Sequence, residues 1–214
     1  MTNSKIWNIE SDALKSQPDF DLLLSQFDNT GTLILVSSLT DVRELLVELS
    51  LTFYEKRPTK VLLQKIKTIH TSLLSELSID NQDVQSEIHD MFVEIDWLLE
   101  DDVQDSYEYI HDQIVSIGEL VSSKILYYYC QSNGIKAKWL DGRDVIITDN
   151  QYTNVGIIEK ETQSRIENQV KSILNQFDVI ITQNSVGCST ENYNTTFDQK
   201  GKNTVLDIYN KYVQ

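Results

Sequence analysis

The sequence predicts a layered α/β/α fold built on a mainly parallel sheet, and three observations predict it. Thr32-Leu33-Ile34-Leu35-Val36-Ser37 and Val179-Ile180-Ile181 are continuous apolar runs of strand length, the composition of strands covered on both faces. Segments of helical period alternate with strand-like ones, the pattern of layered α/β proteins. Between about residues 41 and 132 the helical period runs without a strand, so this block reads as a large helical insertion between strands.

In chain order, residues 5–9 form a short candidate strand. Residues 22–27 are apolar at helical spacing, and Asn29-Thr30-Gly31 breaks the chain before the first apolar run. Thr40 or Asp41 caps the next helix, whose stripe is Val42, Leu45, Leu46 and Leu49. Pro58 punctuates. Residues 61–77 and 84–100 are amphipathic helices, and 107–131 a long helix stopped by Asn133-Gly134. Residues 135–140, 145–147 and 155–158 read as strands, and 159–177 as a helix. A polar stretch, 183–202, separates the second apolar run from a last short helix ending at Val213.

With 214 residues the chain has the length of a single domain, here 1–214. Its 18 basic and 33 acidic residues give a formal charge of −15, a field that repels the nucleic-acid backbone and anionic membrane surfaces alike. We therefore expect neither nucleic acid nor membrane as a partner. The residues after Met1 lack the apolar stretch of a signal peptide, and no apolar run approaches 18 residues, so the reading is cytoplasmic. Cys130 and Cys188 show neither metal nor disulfide spacing, and His70, His89 and His111 lie on separate helical segments without an i, i+4 ligand. No metal is expected. Glu100-Asp101-Asp102 with Asp105 lacks the alternate ligands and mid-loop glycine of a calcium loop and reads as a solvated face. Neither Ser37-Ser38 nor Ser122-Ser123 has nucleophile-elbow context.

The most informative residues are Ser116, Gly118 and Glu119 on the long helix, then Gly134, then Trp139, Asp141, Arg143, Val145, Thr148 and Asp149. In this order and spacing they resemble aspartokinase, a member of the amino-acid kinase family, in its N-terminal, substrate-binding lobe. Weaker similarity continues through Leu35-Val36-Ser37-Ser38, Val179 to Gln183, Gly187 and Thr195-Thr196. The resemblance implies an amino-acid-kinase-like (carbamate-kinase-like) lobe, with Glu119, Ser38, Thr195 and Thr196 as substrate-binding residues. A carboxylate at Glu119 suits a substrate ammonium. The other reading makes it one more charge on an acidic helix.

The departures concern phosphate chemistry. The family's Lys-Phe-Gly-Gly strand end, which cradles and neutralises phosphate, is here Asn8-Ile9-Glu10-Ser11. A carboxylate about 4 Å from a phosphate oxygen repels it by about 4 kcal/mol at an effective dielectric near 20. The arginine expected to clamp the substrate carboxylate is Tyr193, the substrate-contacting threonine falls at Arg43, and Gly-Gly-Ser-Asp becomes Lys200-Gly201-Lys202-Asn203, read as solvated loop. The family's nucleotide-binding half and regulatory modules would follow residue 214. We therefore expect an aspartokinase-related protein without catalytic residues or cofactor, binding a small, aspartate-like amino acid or a protein partner as a homo-oligomer or heteromer. The alternative is aspartate kinase activity, alone or with a separate nucleotide lobe, which would require ATP and magnesium.

Overall fold

A computed structural model describes residues 5–27 and 31–213. The main sheet has the order β1-β2-β5-β3, with β1 Ile6–Ile9, β2 Thr32–Val36, β3 Ala137–Trp139 and β5 Val179–Gln183, every pair parallel. Successive side chains of a strand point to opposite faces, and that explains the uninterrupted apolar runs. Ile34, Val36, Val179 and Ile181 enter the core on one face, while Leu33, Leu35 and Ile180 enter a second core on the other. Each face is covered by helices, so neither set of side chains can be polar.

The first face is covered by α1 (Gln17–Ser25) and by the insertion, which comprises α2 (Val42–Tyr54), α3 (Lys60–Glu76), α4 (Gln82–Glu100) and α5 (Tyr107–Ser132). In α1, Pro18 occupies the first turn and the Asp19 carboxylate accepts the Ser16 amide at 2.9 Å, starting the helix five residues before its apolar stripe. Ser106 caps α5, and Gly134 follows that helix at φ +76°, a left-handed turn that glycine adopts without strain. The insertion joins β2 to β3, but these are not sheet neighbours: β5 lies between them. The second face carries residues 166–174, which follow α6 (Glu159–Arg165), and α7 (Gln199–Val213).

Five expectations need correction. Neither Thr40 nor Asp41 caps α2 through its side chain; Thr40 donates to the Ser11 carbonyl at 2.7 Å and Asp41 sits at φ +63°. Of residues 145–147 only Ile147 is in a strand, β4 (Ile147–Thr148), and 155–158 contributes a single bridge, Ile157 to Thr148. Val145 and Ile146 are apolar because they fill the second core, not because they extend a sheet. The 159–177 helix ends as an α-helix at Arg165, widens to a π turn at Ile166–Lys171 and closes with a 3-10 turn at Leu174–Gln176. The polar stretch after β5 contains a hairpin, β6 (Val186–Ser189) and β7 (Asn194–Thr196), which with β4 forms a second sheet of order β4-β6-β7.

Candidate substrate-like site at the carboxyl ends of the sheet

The carboxyl ends of β2 and β5 meet the middle of α5. In open α/β sheets this is where ligands bind. Gly118 makes the approach possible: a Cβ there would lie 2.6 Å from Ser38 Oγ and 2.8 Å from Leu46 Cδ1. The small-residue face of α5 is thus approached closely by the chain itself. Ser122 Oγ accepts the Leu39 amide at 3.0 Å, and Ser123 Oγ accepts Trp139 Nε1 at 3.0 Å and Gln183 Nε2 at 2.6 Å.

Glu119 points into this junction and is 1 % exposed. Its carboxylate accepts the Ser185 amide at 2.6 Å and the Ser185 hydroxyl at 2.5 Å. The third partner is the Lys202 ammonium, 3.7 Å from Oε1, on a side chain only 11 % exposed. That separation satisfies charge but is too long for a hydrogen bond. Lys202, expected in a solvated loop, instead belongs to the start of α7 and reaches inward. A buried carboxylate without a cation is strongly destabilising, and that requirement fixes the lysine's position.

On neighbouring segments, Ser38 Oγ, which abuts Gly118, and Asn184 Oδ1, next in the chain to Ser185, are buried without a hydrogen-bond partner among the described residues. Ser38 is 2 % exposed and Asn184 is fully buried, its amide nitrogen donating to Ser37 Oγ at 3.2 Å. Buried polar groups are paired in most folded proteins, and an orphaned one costs about 1–3 kcal/mol. Arg43, at the start of α2, likewise has a buried guanidinium nitrogen without a partner.

Thr195 and Thr196 lie on β7, where Thr196 pairs with Val186 next to Ser185, and their hydroxyls are engaged within the fold. Thr195 Oγ1 is 3.1 Å from Thr148 Oγ1. Thr196 donates its amide (3.1 Å) and hydroxyl (2.5 Å) to Asp112, a fully buried carboxylate that also accepts the Thr153 amide at 3.0 Å. Asp112 ties α5 to both the second sheet and the 149–154 loop; sequence reasoning missed it, because an aspartate amid acidic residues looks like surface. Tyr193 packs edge-on against Tyr109, which meets Tyr152 the same way, with centroids 5.2 and 5.1 Å apart. At the end of β1, Asn8 Nδ2 donates to Glu10 Oε1 at 2.7 Å, so amide and acid engage each other. Arg143 is chelated by Asp141, with Nη2 2.8 Å from Oδ2.

Among the described residues no three His, Cys, Asp or Glu side chains are grouped to hold a metal ion, and no helix is long and apolar enough to cross a membrane. Burial pushes the Cys130 thiol up to about 12, which leaves it protonated and inert.

Sheet order and helical insertion are those of an amino-acid-kinase-like α/β fold of the aspartokinase type. The chain superposes on crystal structures of E. coli aspartokinase III in complex with lysine and aspartate (TM-score 0.84) and in complex with aspartate and ADP (TM-score 0.80). In both, the identity is 21 %, with 96 % of this chain and 46 % of the other covered. Clostridium acetobutylicum aspartate kinase aligns over 92 % of this chain and 42 % of its own, at 18 % identity and TM-score 0.71. The chain thus spans less than half the length of these structures. No family model matches it, and no curated protein matches it by sequence.

Proposed function

We propose that this aspartokinase-related chain binds a small zwitterionic amino acid of the aspartate type at the ends of β2 and β5, without transferring phosphate. The observation that carries this reading is the loose pair of buried Glu119 and Lys202, with the unpartnered Ser38 hydroxyl packed against the adjacent Gly118. A zwitterion complements an ion pair that opens: its ammonium takes the Glu119 carboxylate and its carboxylate takes the released Lys202 ammonium. Both charges stay compensated throughout, as burial demands. Ser38 Oγ and Asn184 Oδ1 supply hydrogen-bonding capacity that the fold leaves unused. Two of the similar crystal structures are described as complexes with aspartate, which favours this chemical class. Against phosphoryl transfer stand Asn8 and Glu10, which offer no positive charge where phosphate chemistry needs it.

Thermal-shift titration with aspartate, lysine, threonine and ATP tests the proposal. Ligand at a hundred times its Kd stabilises by about 2.7 kcal/mol, about 5–10 °C for a chain of this size. The expected result is a rise with aspartate and none with ATP, abolished in Glu119→Gln and reduced in Lys202→Met, both checked for native circular dichroism. No shift with any amino acid refutes the binding reading. ATP-dependent aspartyl hydroxamate formation above background refutes the absence of phosphoryl transfer.

A further inference from the structure

A large cavity lies away from Glu119. It is an open groove of about 970 Å³ running beside α3 from Lys60 to Glu76, closed on its other side by residues 14–15 and 39–41. Its floor is apolar, with Leu39 and Leu73 among the lining residues, and Val61 projects into it 81 % exposed. Lys15, Lys60 and Lys65 rim it, and none has an ion-pair partner among the described residues. In a chain of formal charge −15, three cations around one apolar trough are a local reversal of sign. The two carboxylates on the rim are Asp41 and Glu76, and Glu76 already accepts the Gln17 amide at 2.8 Å.

The complementary surface is on the same molecule. Asp90, Glu94, Trp97 and Asp101 follow one another at i, i+4, i+7 and i+11 along and just past α4, so they share its outward face. Trp97 is 66 % exposed, an indole in water at the centre of a row of carboxylates. Glu94 has only a long contact, 3.7 Å, with Arg143, and its own side chain is 62 % exposed. The lengths also agree. At 1.5 Å per residue the 17 residues of α3 offer a trough of about 25 Å, and the 19 residues of α4 span about 28 Å.

We propose that the groove beside α3 receives α4 of a second copy of this chain, with Trp97 seated on the apolar floor beside Val61 and the α4 carboxylates facing Lys15, Lys60 and Lys65. This is helix-in-groove recognition, with an aromatic anchor on an apolar floor and charge pairing at the rim. The contact joins two different surfaces. It closes into a dimer where the two copies meet reciprocally and continues as a chain of subunits where they do not. It is independent of the amino-acid site.

Light scattering coupled to size exclusion, with sedimentation velocity, decides the matter. The wild type should exceed its 24.7 kDa monomer at micromolar concentration and dissociate as salt rises. Val61→Asp and Trp97→Asp, both at exposed positions that leave melting temperature unchanged, should each weaken self-association at least tenfold. An equimolar mixture of the two should regain a two-subunit species, because one intact groove then meets one intact α4. A wild type that stays monomeric overturns the proposal, and so does a Trp97→Asp variant with unaltered mass. Failure of the mixture to reassociate overturns the pairing of these two surfaces.

Discussion

The Lys202 and Glu119 side chains come from segments 83 residues apart in the chain, and the ammonium offsets the charge of the buried carboxylate. Their separation along the chain is why sequence reading singled out Glu119 within a recognisable motif and left Lys202 in a polar loop. His70 shows the opposite case, a titratable residue with no charged partner. It is fully buried on α3, its Nδ1 2.9 Å from the Ile66 carbonyl and its Nε2 without a partner. Burial lowers its pKa from 6.5 to about 4. Between those values the unfolded chain takes up a proton that the native imidazole refuses. Stability from this group is therefore complete above pH 6.5 and falls as pH drops towards 4, by about 3 kcal/mol. His70→Leu should flatten this limb, measured as the difference in urea midpoint between near-neutral and mildly acid buffer. Parallel losses in wild type and variant would show that His70 is not the group responsible.

At the scale of elements, α5 organises the molecule. Its amphipathic period, cap and stop were legible, and so was its Ser116-Ile117-Gly118-Glu119 signature; what its small-residue face meets was not. Gly118 is glycine because Ser38 Oγ and Leu46 occupy the space of a Cβ. Gly118→Ala should therefore lower stability by about 1–3 kcal/mol through overpacking, although alanine favours helix by about 1 kcal/mol. Ser38→Ala in the same chain should recover part of the loss in a denaturant titration. A stabilised single variant would mean the β2–α2 loop yields freely. The hairpin of β6 and β7 escaped detection for another reason. Cys188, Ser189, Asn194, Thr195 and Thr196 carry little apolar alternation, and the strands are held by backbone pairing and by Asp112. The strand-like 145–147 run erred the other way, since burial alone selects Val145 and Ile146.

At the scale of the whole molecule, two cores lie on opposite faces of one sheet, and buried polar links tie α5 to the second sheet. Asp112 is one of these, accepting from Thr153 and Thr196 across to the 149–154 loop and the second sheet. Asp112→Ala should cost about 2–4 kcal/mol by leaving buried amides unpaired. It should also accelerate hydrogen exchange at the Thr196 amide more than at β2; uniform acceleration would show that Asp112 holds no particular region. By itself the sequence determined the α/β class, the apolar central strands, the extent of the helical insertion and the aspartokinase-like signature, because these depend on local period, composition and motif. Only the tertiary structure decided that β5 separates β2 from β3, that a polar segment folds as a hairpin, and that Lys202 neutralises Glu119. Those are contacts between residues far apart in the chain, selected by the need to compensate every buried charge and backbone group, and local pattern carries no record of that need.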